Sequence, residues 1–229
     1  MNLLRQWADL FPALWPGLLV TVRLTLAAAV VGVPLGVLFA VLQTARSRAV
    51  RWGAVAVVEV GRGAPALIVL YLAYYGLPQV GLALPSFTAA SLALAVTTGA
   101  YTSEVFRAGL AAVPAGQREA SAALGLSRGE EFRLVVLPQA VRIVVPPLVG
   151  WLVLLYQGTS LAFAVSTPEL LSRAYNAASI SYQFTAALTL AGLMYATLSL
   201  VALGLVRLPG RVPRSSRRTS ATTSAGPAA

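Results

Sequence analysis

The 229-residue chain has no cysteine and no histidine, and none of its 17 basic residues is lysine. The first absence excludes disulfides and thiolate chemistry. The second removes the commonest general base and transition-metal ligand, and the third leaves no Schiff-base amine. Acids are scarce as well, 7 against the 17 arginines, for a net charge of +10 with only 10% of residues charged. No GxxxxGK[ST] phosphate cradle occurs, and no nucleophile, base and orienting residue are grouped by any spacing. The chain is therefore not expected to be an enzyme, to hydrolyse ATP itself, or to hold a cofactor or metal. What fills the sequence is apolar: 58% hydrophobic residues and a mean hydropathy of +0.77. These values predict an all-α integral membrane protein. The arginines sit at span ends instead of forming a stripe interleaved with aromatics, so no nucleic-acid partner is expected.

Five spans are legible. Residues 1–16, with Trp7, Phe11 and Trp15 beside Arg5 and Asp9, read as an interfacial helix lying on the membrane. The first span follows from Gly17 to Leu42, containing Gly32, Pro34 and Gly36. Arg46, Arg48 and Arg51 come directly after it, which by the positive-inside rule places that loop in the cytoplasm and the amino terminus outside. The second span, Trp52 to Tyr75, carries Glu59 and Arg62 three residues apart and Gly61, Gly63 and Pro65 in its middle. That pattern reads as a helix broken within the membrane along a cavity, or as a structural ion pair near the inner surface. Gly76 to Pro85 reads as an outside turn, and the third span, Phe87 to Leu110, ends at Glu104 and Arg107. The fourth begins near Val141 and is kinked or delayed by Pro146 and Pro147. It runs out in the polar cluster Gln157, Thr159 and Ser160, which either caps the helix or faces a water-filled path. Thr167, Pro168 and Glu169 read as cap, proline and acid at the start of another helix. The fifth span is Phe184 to Val206, and residues 208–229, rich in Arg, Ser, Thr and Ala, read as a disordered cytoplasmic tail. Five spans place about thirteen of the 17 arginines on one side.

The one long charged interval inside this apolar chain is Pro114 to Pro138. Gln117 to Leu124 is a short run of helix formers that Gly125 can end as a left-handed cap. Ser127 and Glu130 form the pattern of a capping box for a second helix, with Pro138 as its expected end. About two turns of helix are unstable alone in water, so something must pack on the first. Its small face of Ala120, Ala123 and Leu124, flanked by Arg118 and Glu119, suits either its own membrane domain or a groove on another protein.

Glu119-Ala120-Ser121, Gly125 and Leu137-Pro138 resemble the EAA loop of ABC-importer permeases. Gly99-Ala100-Tyr101, Glu104-Val105-Phe106-Arg107, Val113 to Gln117 and Leu137-Pro138-Gln139-Ala140 are similar to the polar amino-acid branch of that family, which serves histidine, glutamate, glutamine, arginine and opines. The resemblance runs from about Gly17 to Arg207. It implies a five-span type I permease bundle with a cytoplasmic coupling helix, in a bacterial plasma membrane. Implied partners are two ATPase subunits holding ATP and magnesium, a second permease subunit, identical or homologous, an extracytoplasmic solute-binding protein, a polar amino acid and membrane lipid. Gln117, Arg118, Glu119, Ala120, Ala123, Leu124 and Gly125 would couple to the ATPases.

Two departures bear on the solute. Where the family often has Lys-Asp or Lys-Asn before Thr-Ser-Leu, this chain reads Gln157-Gly158-Thr159-Ser160-Leu161. It also reads Arg62-Gly63-Ala64-Pro65 where threonine more often precedes the proline. An ammonium group needs a carboxylate in a low-dielectric site, so a subunit with Gly158 is expected to contribute little of the solute site. The candidate pathway residues are Arg23, Glu59, Arg62, Pro65, Gln157, Thr159 and Ser160, with Arg23 either attracting a carboxylate or snorkelling to the interface. The alternative function is an ion-coupled secondary transporter, for which Glu59 is the one deeply placed acid expected to carry a proton.

Overall fold

A computed structural model describes residues 2–207, with side chains described to residue 204. The tail expected at 208–229 lies outside the described residues. Every regular element among those described is helical: α1 (Leu3–Leu42), α2 (Arg48–Gly63), α3 (Ala66–Tyr71), α4 (Ser86–Ala111), α5 (Ala115–Ala123), α6 (Arg128–Glu130), α7 (Leu137–Gly158), α8 (Leu170–Ser181) and α9 (Phe184–Arg207).

Three described helices are long and apolar enough to cross a membrane, and α2 with its continuation past α3 makes a fourth if that bent pair is one span. At 26 residues, about 39 Å, α4 is long enough to cross, but its Thr, Ser and Gly content keeps it less apolar than those three. The small residues have another use. Gly32 and Gly36 of α1 face α4, and a Cβ on Gly32 would stand 2.7 Å from Thr98 Cβ and 2.8 Å from the Ala95 carbonyl oxygen. On Gly36 it would collide with Thr102 Oγ1. With little solvophobic force between helices in lipid, such close approach is what holds α1 along α4, the most extensive helix pair in the fold. The outward face of α1 leaves Leu26, Val30 and Val41 exposed.

Two cores flank this pair. Leu10 and Leu14 pack with Leu170, Ala174 and Ala187 of α8 and α9. Leu24 and Ala28 pack with Leu70, Ala93, Leu94 and Leu155. Within the segment expected as an interfacial element, residues 3–16 run into the first span without a break, and Trp7 Nε1 donates to Thr189 Oγ1 across 3.2 Å.

The expected break is present, and two expected boundaries differ. The break in the second span is a 102° bend between α2 and the helix beginning at Ala66. Pro65 holds Ala64 extended at φ −74° and ψ 131°, which stops α2 one residue earlier. The chain then stays helical through a π turn, Leu72–Gly76, and a 3-10 turn, Leu77–Val80, so the expected outside turn is shorter and is closed by Gly81 at φ +85°. Nor does Pro138 end a helix. A π turn over Glu131–Val136, in which Leu137 N–H reaches back to the Phe132 carbonyl, carries the chain from α6 into α7, and the rod runs on through Pro146 and Pro147. The wider turn accommodates the N–H that Pro138 lacks.

Candidate functional site

The charged interval folds as its spacing predicts as far as Glu130. Pro114 starts α5, and its end is a Schellman closure: Leu126 N–H donates to the Ser121 carbonyl and Gly125 N–H to that of Ala122, each across 3.0–3.1 Å, with Gly125 at φ +75°. The capping box follows, with Ser127 N–H donating to Glu130 Oε2 at 2.9 Å and Glu130 N–H to Ser127 Oγ at 3.4 Å.

One side of α5 is fastened to its own domain. Ser121 is buried and its hydroxyl donates to the Gln117 carbonyl. Gln139 Nε2 donates to Gln117 Oε1 at 3.3 Å, and Arg118 Nη2 to the Leu110 carbonyl at 3.3 Å. Beneath lies the small core of Val113, Val136 and Ala140. The other side is bare: Glu119, Ala120, Ala123 and Leu124 are exposed, Leu124 to 80%. A short helix held to its own domain along one side presents an apolar side chain on the other.

The pathway candidates do not form one pocket. Arg62 Nη1 pairs with Glu59 Oε1 at 3.2 Å where α2 ends, with side-chain exposures of 35% and 64%, and Pro65 turns the corner beside them. Gln157, Thr159 and Ser160 stand at the far end of α7. Gln157 Nε2 donates to Ser199 Oγ at 3.2 Å, while the Thr159 and Ser160 hydroxyls donate to the carbonyls of Tyr156 and Gln157. Arg23 is exposed on α1. A cavity of about 260 Å³ between α1, α7 and α9 is lined by apolar groups with Tyr156 and Ser199, and by none of these seven residues.

One expectation about acids needs correction. Glu59 is mostly exposed in this chain, and Glu169 is wholly buried. Glu169, not Thr167, caps α8: its carboxylate accepts from Leu171 N–H at 2.9 Å, Ser172 N–H at 2.7 Å and the Tyr195 hydroxyl at 2.7 Å. Thr21 Oγ1 accepts from Leu170 N–H at 3.1 Å, so this knot ties α1, α8 and α9. Sequence spacing missed it because Thr21 and Tyr195 are distant in the chain.

Spacing also missed Tyr101 and Trp151. Their rings stack at 4.1 Å between α4 and α7, the Tyr101 hydroxyl donates to the Arg62 carbonyl at 3.0 Å, and the Arg62 guanidinium carbon lies 5.9 Å from the Tyr101 ring centre.

Residues 32–211 match the family described as "Binding-protein-dependent transport system inner membrane component". The chain is 36% identical over 200 residues to a probable amino-acid ABC transporter permease protein, y4tG, of Sinorhizobium fredii, covering 87% of each. It is 33% identical to the arginine transport system permease protein ArtQ of Bacillus subtilis, covering 83% of this chain and 87% of that protein. Its fold is similar to that of a solved amino acid ABC transporter with histidines, at TM-score 0.85 and 30% identity, over 91% of this chain and 97% of the other. The chain belongs to the binding-protein-dependent transport system inner membrane component family, and it is a non-enzymatic, membrane-spanning permease subunit of an ABC importer.

Proposed function

We propose that this permease carries a polar amino acid into a bacterial cytoplasm, taking the solute from an extracytoplasmic binding protein. Two ATPase subunits holding ATP and magnesium grip α5, and a second permease, identical or homologous, completes the path. The amino terminus and the 1–16 segment lie at the outer face, α5 and the tail in the cytoplasm, and residues 17–207 form the translocation domain. Closure of the ATPases moves α5 as a rigid lever and rocks α4 against α7 between inward- and outward-open states. The observation that carries this reading is the two-sided α5, fastened through Gln117 and Arg118 and bare at Leu124.

The solutes named for relatives, arginine in Bacillus subtilis ArtQ among them, set the class of solute. Against the ion-coupled alternative stand the pairing of Glu59 with Arg62 and the hydrogen bonds that both Glu169 oxygens already accept. Reconstitution in proteoliposomes with co-purified ATPases and binding protein tests the reading. ATP-dependent uptake of L-arginine, L-glutamine, L-histidine or L-cystine is expected. Uptake by this chain alone, without ATP, contradicts it.

A further inference from the structure

Around its axis, α2 turns three strips toward three different surroundings. Ala54, Val58 and Gly61 are buried at helical spacing, and a Cβ on Gly61 would stand 2.8 Å from Ala100 Cβ, so this strip lies against α4. At about 3.6 residues per turn, Arg48, Arg51, Glu59 and Arg62 gather on a second strip. Val50, Val57 and Val60 form the third, roughly opposite the charges, and are 44%, 51% and 70% exposed. No described element covers them. Charge along one side and bare valines along the other is the pattern of a helix lying in a membrane interface, not of one crossing the bilayer.

The neighbours of α2 give it the matching direction and depth. Where α2 ends, the chain meets α4 at Ala100 and Tyr101, and by Leu70 it packs with Ala90, Ala93 and Leu94. The helical run from Ala66 therefore climbs along α4, and α2, bent 102° from that run, lies across it. Polar groups mark the level: Gln43 Nε2, just past α1, donates to Ser103 Oγ, and Glu104 pairs with Arg107 on the next turn of α4. Ala100 stands four residues deeper than Glu104, about 6 Å, within the roughly 5–10 Å that interfacial helices sink into a leaflet. The run from Ala66 to Val80, about 22 Å, covers the remainder of a hydrocarbon core of about 30 Å.

We propose that α2 lies in the membrane interface on the α5 side, with Val50, Val57 and Val60 on lipid acyl chains and Arg48 and Arg51 on the headgroups of acidic phospholipids. The occupant follows from charge. Residues 43–63 carry four arginines and one acid, and the salt bridges among the described residues are Arg62 with Glu59 and Arg107 with Glu104. Arg48 and Arg51 have no carboxylate partner there, and an acidic headgroup supplies the counter-charge. A second copy of this chain laid on the valine strip would leave both cations unanswered. The proposal is independent of which solute is carried.

The test uses the permease with its ATPases in nanodiscs of phosphatidylcholine and phosphatidylglycerol. Val50→Cys and Val57→Cys, two turns apart on one strip, are labelled singly with bimane, and the cysteine-free permease in the same complex, treated alike, gives the blank. Lipids bearing a nitroxide at the headgroup or at successive acyl carbons report the depth of each label. Equal depths just below the headgroups are expected, whereas a crossing helix would separate the two by about 10 Å. Quenching should be stronger from nitroxide-labelled phosphatidylglycerol than from its phosphatidylcholine counterpart, and Arg48→Gln combined with Arg51→Gln should abolish that preference. Labels at two depths, no quenching by either lipid because a second permease covers the strip, equal quenching by the two lipids in the parent, or a preference that survives loss of both arginines would overturn the proposal.

Discussion

Replacing Gly125 by valine perturbs the coupling loop at one torsion and nowhere else. Gly125 sits at φ +75°, and a Cβ built there would have no atom within 4 Å. No steric contact within the chain is made or lost, so the cost is conformational: about 1–2 kcal/mol for an L-residue held in the left-handed region, toward the upper end for a β-branched one. A cost of that size lowers the closed-to-open ratio of the Schellman turn by a factor of about 5–30. The turn sets the angle between α5 and the capped start of α6, so a loosened turn lets α5 yield when pushed instead of transmitting the push. Binding-protein-stimulated ATPase and ATP-driven uptake in proteoliposomes should both fall, by up to that factor of about 5–30, with membrane insertion unchanged. Gly125→Asn, which tolerates the left-handed region, should retain most of both activities. Full coupling in Gly125→Val would refute the lever. Equal loss in Val and Asn would refute the conformational cause, because both would then be acting by bulk against the docked partner.

Gly32→Leu should separate α1 from α4, since its Cβ already meets Thr98 and the Ala95 carbonyl within 2.8 Å. A loss of about 1–3 kcal/mol is expected, seen as a lower unfolding midpoint in detergent. Glu169→Ala strips two N–H groups at the start of α8 and the Tyr195 hydroxyl of their acceptor. It should cost about 2 kcal/mol or more from the lost cap and the stranded donors. Tyr195→Phe should cost about 1 kcal/mol, the worth of one hydrogen bond, in the same assay. Ser127→Ala opens the capping box and should cost about 1 kcal/mol, read as faster amide exchange at residues 127–131 with α7 unaffected.

Much of the loop was legible because its signals are local. A left-handed glycine, a Ser-x-x-Glu box and a two-turn run of alanines each act within a few residues, and Gly125, Ser127 and Glu130 do what their spacing predicts. Pro65 was legible as a break for the same reason, though not the size of the bend. Pro138 was misleading, because a π turn ahead of it absorbs the missing N–H and nothing in the residue pattern announces a π turn. The membrane interior was least legible. Gly32 and Gly36 read as backbone weaknesses until Thr98 and Thr102 are seen against them. Glu169 becomes the buried acid only through Tyr195, 26 residues away, and Arg62 and Trp151 each meet Tyr101 from a different helix. Such meetings depend on which helix faces align, and apolar spans of similar composition do not encode that locally.

The chain's lack of cysteine makes the decisive measurement a clean one. Leu124→Cys places a single thiol on the bare side of α5, 80% exposed in the parent residue. The account predicts that this thiol cross-links to the co-purified ATPase, that the yield changes with ATP, and that a membrane-impermeant maleimide reaches it only after cells are opened. Labelling in intact cells with no cross-link to an ATPase would contradict the claim that work enters this permease through α5.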